Sequence, residues 1–181
     1  MKQKLTKRVF LLALMLAAIA VTAFAQASIW VNGYLASNKA QRGKIVQAAV
    51  VMDIPEGYHI NSNKPLGKYA IPTALEIKAP AGVKIGPVGY PRSIVRRFKF
   101  SEEQLAVYEG RAVLRFNVSV PADFALGATE LRARLRYQSC TDEVCFPPAS
   151  REVTIPLEVV NATDPVKRIN STFFGAAKNR N

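Results

Sequence analysis

Apolar residues recur at every second position through much of this chain, and the runs stop at Pro or Gly. Arg111 to Val120 sets Ala112, Leu114, Phe116, Val118 and Val120 against Arg111, Val113, Arg115, Asn117 and Ser119. Leu131 to Gln138 sets Leu131, Ala133, Leu135 and Tyr137 against Arg132, Arg134, Arg136 and Gln138. Glu152 to Val160 places Val153, Ile155, Leu157 and Val159 on one face. Ile45 to Ile54 is a further strand, ended by Pro55-Glu56-Gly57. Thr73 to Lys78 is closed by Pro80-Ala81-Gly82, Val83 to Val88 is shorter, and another strand is predicted at Ser28 to Leu35. Period-two segments with one apolar face, separated by turn residues, predict an all-β fold of the sandwich type.

Helical periodicity is weak. Ser101-Glu102-Glu103-Gln104 can start a turn, but no 3.6-residue period follows it. From Asn161 to Asn181 the chain is polar, with Phe173-Phe174 as its only apolar feature, which predicts a loosely ordered tail.

The first 25 residues break the pattern. Lys2, Lys4, Lys7 and Arg8 precede an apolar run from Val9 to Val21, and Ala23-Phe24-Ala25 supplies the small-x-small cleavage pattern. This predicts a signal peptide cut after Ala25, an exported protein beginning at Gln26, and no transmembrane segment of its own after cleavage. Residues 26–160 then make one domain, long enough to bury a core without covalent help. The full chain carries a net charge of +12. Its basic residues are scattered and form no Lys/Arg block, so nucleic acid is not an expected partner.

Only two cysteines occur, Cys140 and Cys145. One predicted strand enters their segment and another leaves it, so a hairpin with one cysteine at each side of its neck is expected. In an exported protein the default state of such a pair is a disulfide. Two readings stay open, a structural staple and a redox-active pair. The closed loop of six residues weakens the first, because its entropic contribution is only about 2 kcal/mol. Extending the alternation puts Cys140 on the face of Arg132, Arg134, Arg136 and Gln138, where a partner thiol could reach it. His59 is the only histidine, so no metal site is predicted, and no cofactor is called for.

Three blocks carry a family resemblance. They are Gly57-Tyr58-His59-Ile60-Asn61-Ser62-Asn63-Lys64-Pro65 with Ile71-Pro72-Thr73, Phe98-Lys99-Phe100-Ser101-Glu102-Glu103 through Val107-Tyr108-Glu109-Gly110, and Tyr137-Gln138-Ser139-Cys140 to Cys145-Phe146-Pro147-Pro148. Over roughly residues 28 to 160 the chain resembles the N-terminal periplasmic domain of DsbD-type thiol:disulfide interchange proteins. The resemblance implies an immunoglobulin-like β-sandwich that relays electrons between protein partners through its cysteines. The partners implied are thioredoxin-like periplasmic proteins and a membrane thiol-electron conduit. It also implies that Cys140 forms the mixed disulfides and Cys145 resolves them. A cap loop at residues 97 to 104 would shield the pair, with Phe100 the first candidate for the shielding ring and Phe98 the second. Tyr58, His59, Asn61, Tyr137, Asp142 and Glu143 are the candidates for docking or tuning. For His59 the competing expectation is a partly exposed packing residue. The alternative for the whole chain is a non-catalytic protein-binding sandwich whose disulfide only stiffens a hairpin.

Overall fold

Alternation in the sequence becomes two apolar sheet faces that bury each other. The computed structural model describes residues 29–175, so the expected signal peptide and residues 176–181 lie outside the described residues. The strands are β1 (Trp30–Leu35), β2 (Ala40–Gln41), β3 (Ile45–Asp53), β4 (His59–Asn61), β5 (Ala74–Lys78) and β6 (Lys84–Ile85). They continue with β7 (Ile94–Arg97), β8 (Gln104–Tyr108), β9 (Arg111–Ser119), β10 (Gly127–Tyr137), β11 (Ser139–Cys140) and β12 (Ala149–Val160). One helical turn, α1 (Ser171–Phe174), follows. The first sheet has the order β1-β3-β9-β6 and the second β2-β12-β10-β5.

Ala48, Val50 and Met52 of β3 and Leu114, Phe116 and Val118 of β9 share one buried cluster with Leu131, Leu135, Ile155 and Leu157 of the second sheet. Arg132, Arg134 and Arg136 alternate outward on β10. The chain is therefore the all-β sandwich that the period-two segments predict. Burying each Leu-sized side chain contributes about 1.5–3 kcal/mol, so this core outweighs what a six-residue disulfide loop can add.

A third sheet, β11-β4-β8-β7, is built where the sandwich strands run on. β3 pairs with β9 as far as Asp53 opposite Arg111, and pairing resumes beyond a bend with Ile60 opposite Tyr108. Gly57 (φ 77°) and Gly110 (φ 62°) supply the left-handed conformations at that bend. The Ile54 N–H donates to the Gly110 carbonyl at 2.6 Å, which ties its two sides. β11 is the continuation of β10 past Gln138, and it pairs with β4. Strands from both sandwich sheets thus meet in the third.

The segment after Asn161 is docked rather than loose up to Gly175. Ile169 N–H donates to the Ala36 carbonyl at 3.0 Å, and Asn170 Nδ2 donates to the Leu35 carbonyl at 2.9 Å. The Phe173 ring lies 4.5 Å from that of Tyr34, and the Arg111 guanidinium sits 5.7 Å over the same phenyl ring. The polar composition of the segment hides these anchors, because a few long-range hydrogen bonds and one aromatic contact hold it.

At Gly33 of β1 the two sandwich sheets approach so closely that a Cβ would collide with Ile155 Cγ1 and lie 2.9 Å from Val153 Cγ1. Gly33→Ala is expected to cost about 1–3 kcal/mol through overpacking. Urea unfolding should show a lower midpoint at an unchanged slope; an unchanged midpoint would mean that the sheets yield freely here.

Candidate functional site

The cysteine segment is positioned by the end of a well-packed strand. Tyr137 of β10 is buried in the core, and at Gln138 the backbone leaves the second sheet. The Gln138 side chain fastens this crossing point. Its Oε1 accepts from Asn61 Nδ2 at 3.0 Å, and its Nε2 donates to the Phe146 carbonyl at 3.1 Å. β11 then aligns Ser139 with Ile60 and Cys140 with His59.

The next residues form a tight hairpin. Thr141 N–H donates to the Val144 carbonyl at 2.8 Å, and Phe146 N–H donates to the Ser139 carbonyl at 2.9 Å. Thr141 Oγ1 accepts from the backbone N–H groups of Glu143 and Val144, each at 3.3 Å. Cys140 and Cys145 face each other across the neck with Cα atoms 4.0 Å apart, and their sulfurs are bonded.

Directly opposed residues of an antiparallel pair share a face. Cys140 and His59 are therefore neighbours on one side of the third sheet, whereas Ile60 points into the main core. Val107, opposite Asn61, belongs to the Cys140 side and clusters with Leu105 and Phe98.

A loop roofs this side. β7 and β8 form a hairpin closing at Arg97 opposite Gln104, and residues 98–103 connect them. The Phe98 ring lies 3.8 Å from that of His59, at 16° to it. Phe100 follows 5.5 Å beyond Phe98, its ring nearly parallel to both. Lys99 Nζ reaches Glu143 Oε1 at 3.7 Å and links the roof to the hairpin. Both partners of that ion pair are exposed, so it contributes at most about 1 kcal/mol. Ring stacking and burial hold the roof closed.

Burial corrects three expectations. Cys140 is fully buried, not solvent-facing. The phase of β10 marks its solvent side only while β10 lies in the second sheet, and β11 belongs to another sheet whose corresponding side is covered. His59 is 2% exposed rather than partly exposed, because the Phe98 ring covers it. Tyr137 and Asn61 are also buried, so neither forms a docking surface. Asp142 and Glu143 are exposed at the hairpin tip, and half-buried Tyr58 stacks 6.0 Å from Phe146.

Cys145 differs from its partner. It is only partly buried, and it lines a cavity of about 290 Å³ with Asn61, Tyr69, Phe100, Leu105 and Gln138. Phe100 borders that cavity, while Phe98 packs against His59, Leu105 and Val107. Sequence reading missed Gln138 as the tie between β4 and the hairpin. It also missed Gly67, where a Cβ would lie 2.9 Å from Leu105 Cδ2. The Ile71-Pro72-Thr73 block marked that part of the chain without revealing these contacts.

A second cavity of about 380 Å³ is lined by His59 itself with Tyr58, Arg96, Glu109 and Asp142 among others. Burial pulls the His59 imidazole down to about 4, Asp142 works against that shift and Arg96 with it. The ring is neutral at physiological pH.

A β-sandwich that holds a cysteine hairpin under an aromatic roof, one sulfur sealed and the other at a cavity, defines a thiol-exchange domain. Residues 32–157 match the family model of the thiol:disulfide interchange protein DsbD, N-terminal, and the chain belongs to that family. Its activity is thiol–disulfide interchange. Among solved structures it is similar to the reduced N-terminal domain of Neisseria meningitidis DsbD. That likeness is at 20% identity and a TM-score of 0.44, covering 72% of this chain and 85% of that one. A family 123 glycoside hydrolase from Clostridium perfringens is similar at 12% identity and a TM-score of 0.33, covering 77% of this chain and 28% of that one. No curated protein sequence matches. Among the described residues no helix is long and apolar enough to cross a membrane.

Two outcomes follow from this geometry. A histidine held neutral at a lowered pKa contributes stability that is complete above about 6.5 and lost as pH falls toward 4. The loss amounts to roughly 3 kcal/mol at 1.36 kcal/mol per pH unit. Unfolding midpoints measured from pH 7 to pH 4 should fall more steeply for the native protein than for His59→Phe, and parallel curves would contradict the account. In the reduced protein, Phe100→Ala should speed alkylation of Cys145 by about tenfold, the effect of removing about 1.4 kcal/mol of roof burial. An unchanged rate would show that this ring shields nothing.

Proposed function

We propose that the chain is a periplasmic protein-disulfide reductase in which Cys140 and Cys145 cycle between disulfide and dithiol. It takes electrons from a membrane-held dithiol conduit and passes them to thioredoxin-like proteins. The contrast in burial between the two cysteines carries the reading, together with a hairpin disulfide that the core does not need.

The same contrast favours Cys145 as the sulfur that meets partners, the reverse of the roles that the resemblance implies. A donor thiolate attacks Cys145 Sγ, the Cys140–Cys145 bond breaks, and Cys140 leaves as a thiolate that takes up a proton. The second thiolate of the donor then attacks its own sulfur in the mixed disulfide. The donor departs as a disulfide, and Cys145 is left as the second thiol. Two electrons and two protons have entered the chain, and the same steps in reverse deliver them to an acceptor disulfide.

A fully buried sulfur cannot be the first point of contact while the roof is closed. Cys145, by contrast, opens onto a cavity rimmed by the exposed Tyr69 and by Phe100. Tyr58, Asp142 and Glu143 lie around the hairpin and are the groups that a docking partner would meet.

Trapping tests the assignment. Cys140→Ser leaves Cys145 without a resolving thiol and should accumulate a mixed disulfide with a thioredoxin-like partner on non-reducing gels. Cys145→Ser should accumulate little. The opposite result would restore Cys140 as the attacking sulfur. Trapping by neither variant would leave the hairpin disulfide as a staple in a binding module.

A further inference from the structure

His59 is the titratable group closest to the sulfurs in register, and the exchange steps above do not use it. It stands directly opposite Cys140 in the β4–β11 pair, on the same face, and both residues are buried. Opposed residues of an antiparallel pair carry Cβ atoms about 4.5–5.5 Å apart, so the two side chains are immediate neighbours on that face. The Phe98 ring stacked on the imidazole restricts where that ring can turn. Its Nε2 is buried with no hydrogen-bond partner.

An unpartnered buried acceptor is unfavourable and calls for an explanation. The Cys140–Cys145 disulfide cannot fill the role, since it has no proton to donate. Reduction changes this, because opening the bond creates a thiol on Cys140, and a thiol is a donor. We propose that His59 is a positioning residue for the reduced state, its Nε2 accepting the Sγ–H of Cys140 once the disulfide opens. The orphan atom then disfavours the oxidised form, the new hydrogen bond favours the reduced one, and the pair becomes easier to reduce. The neutral ring supports this, because in its Nδ1–H tautomer the Nε2 lone pair is free. The electron count is that of the couple itself. A dithiol donor supplies two electrons and two protons, Cys140 and Cys145 each gain one proton, and the donor becomes a disulfide. Asn61 Oδ1 is a second buried acceptor without a partner. Its amide is already tied to Gln138, however, and it borders the Cys145 cavity.

The inference rests on the pair being a reversible couple, but its test is independent of any protein partner. The full chain and its His59→Phe variant are equilibrated in glutathione buffers, and the reduced fraction is read by thiol labelling. Phenylalanine keeps a ring against Phe98 and removes both nitrogens, so a purely packing role predicts no change. The expected result is an equilibrium constant for reduction about tenfold lower in the variant, a potential about 30 mV more negative. A change of less than about twofold, or one in the opposite direction, overturns the proposal. Should the variant fail to fold, the ¹⁵N resonance of His59 Nε2 in the unaltered chain decides. It should move on reduction as the lone pair gains a donor, and an unmoved resonance overturns the proposal. A shifted potential without trapped partners would sink the relay and leave the His59 chemistry standing. Trapped partners with an unshifted potential would do the reverse.

Discussion

The pairing of two residues of β11 on β4 is the contact on which the site depends. It aligns Ser139 with Ile60 and Cys140 with His59. Through it the end of β10, rooted in one sandwich sheet, is fastened beyond the end of β3, rooted in the other. A slip of one residue would turn Cys140 to the opposite face of the sheet. It would then lose His59 as a neighbour and the phenylalanines as a cover. The large core upstream fixes where the two strands emerge, so a very short pairing suffices to set the register. Gln138 reinforces it from the side by holding Asn61 and the Phe146 carbonyl together.

Stability and chemistry are thereby kept in separate parts of the molecule. The sandwich buries its apolar faces without using the cysteines, and the disulfide closes a loop too short to matter much to the folded state. The bond can open and close without threatening the fold. Over His59, the neighbour of Cys140, lies a loop held by stacked rings rather than by strong polar ties, its ion pair to the hairpin exposed and weak.

The sandwich was legible in the sequence because β9, β10 and β12 each have one wet face and one dry face. The alternation along Arg111–Val120, Leu131–Tyr137 and Val153–Val159 marks the inward residues correctly. The third sheet gave no such sign. β4, β8 and β11 are nearly buried on both faces and are only two to five residues long, while β7 is exposed throughout. Neither condition produces a period of two. For the same reason the burial of Cys140 and His59 could not be read from the phase of β10, since a cover contributed by a distant hairpin leaves no local trace. The family resemblance pointed to the loop at residues 97 to 104, whose Phe98 the structure stacks on His59. It assigned the two sulfurs the roles that their burial argues against. The docked segment up to Gly175 was hidden similarly, because Asn170 and Phe173 act through partners more than a hundred residues away.

A relay requires the bond between Cys140 and Cys145 to be one that the molecule makes and breaks in use. The most direct test is the absolute reduction potential of the pair in defined thiol buffers, with both cysteines followed by labelling. A relay requires a value above about −300 mV, within reach of protein dithiols. A value well below that would class the bond with inert structural disulfides and contradict the account.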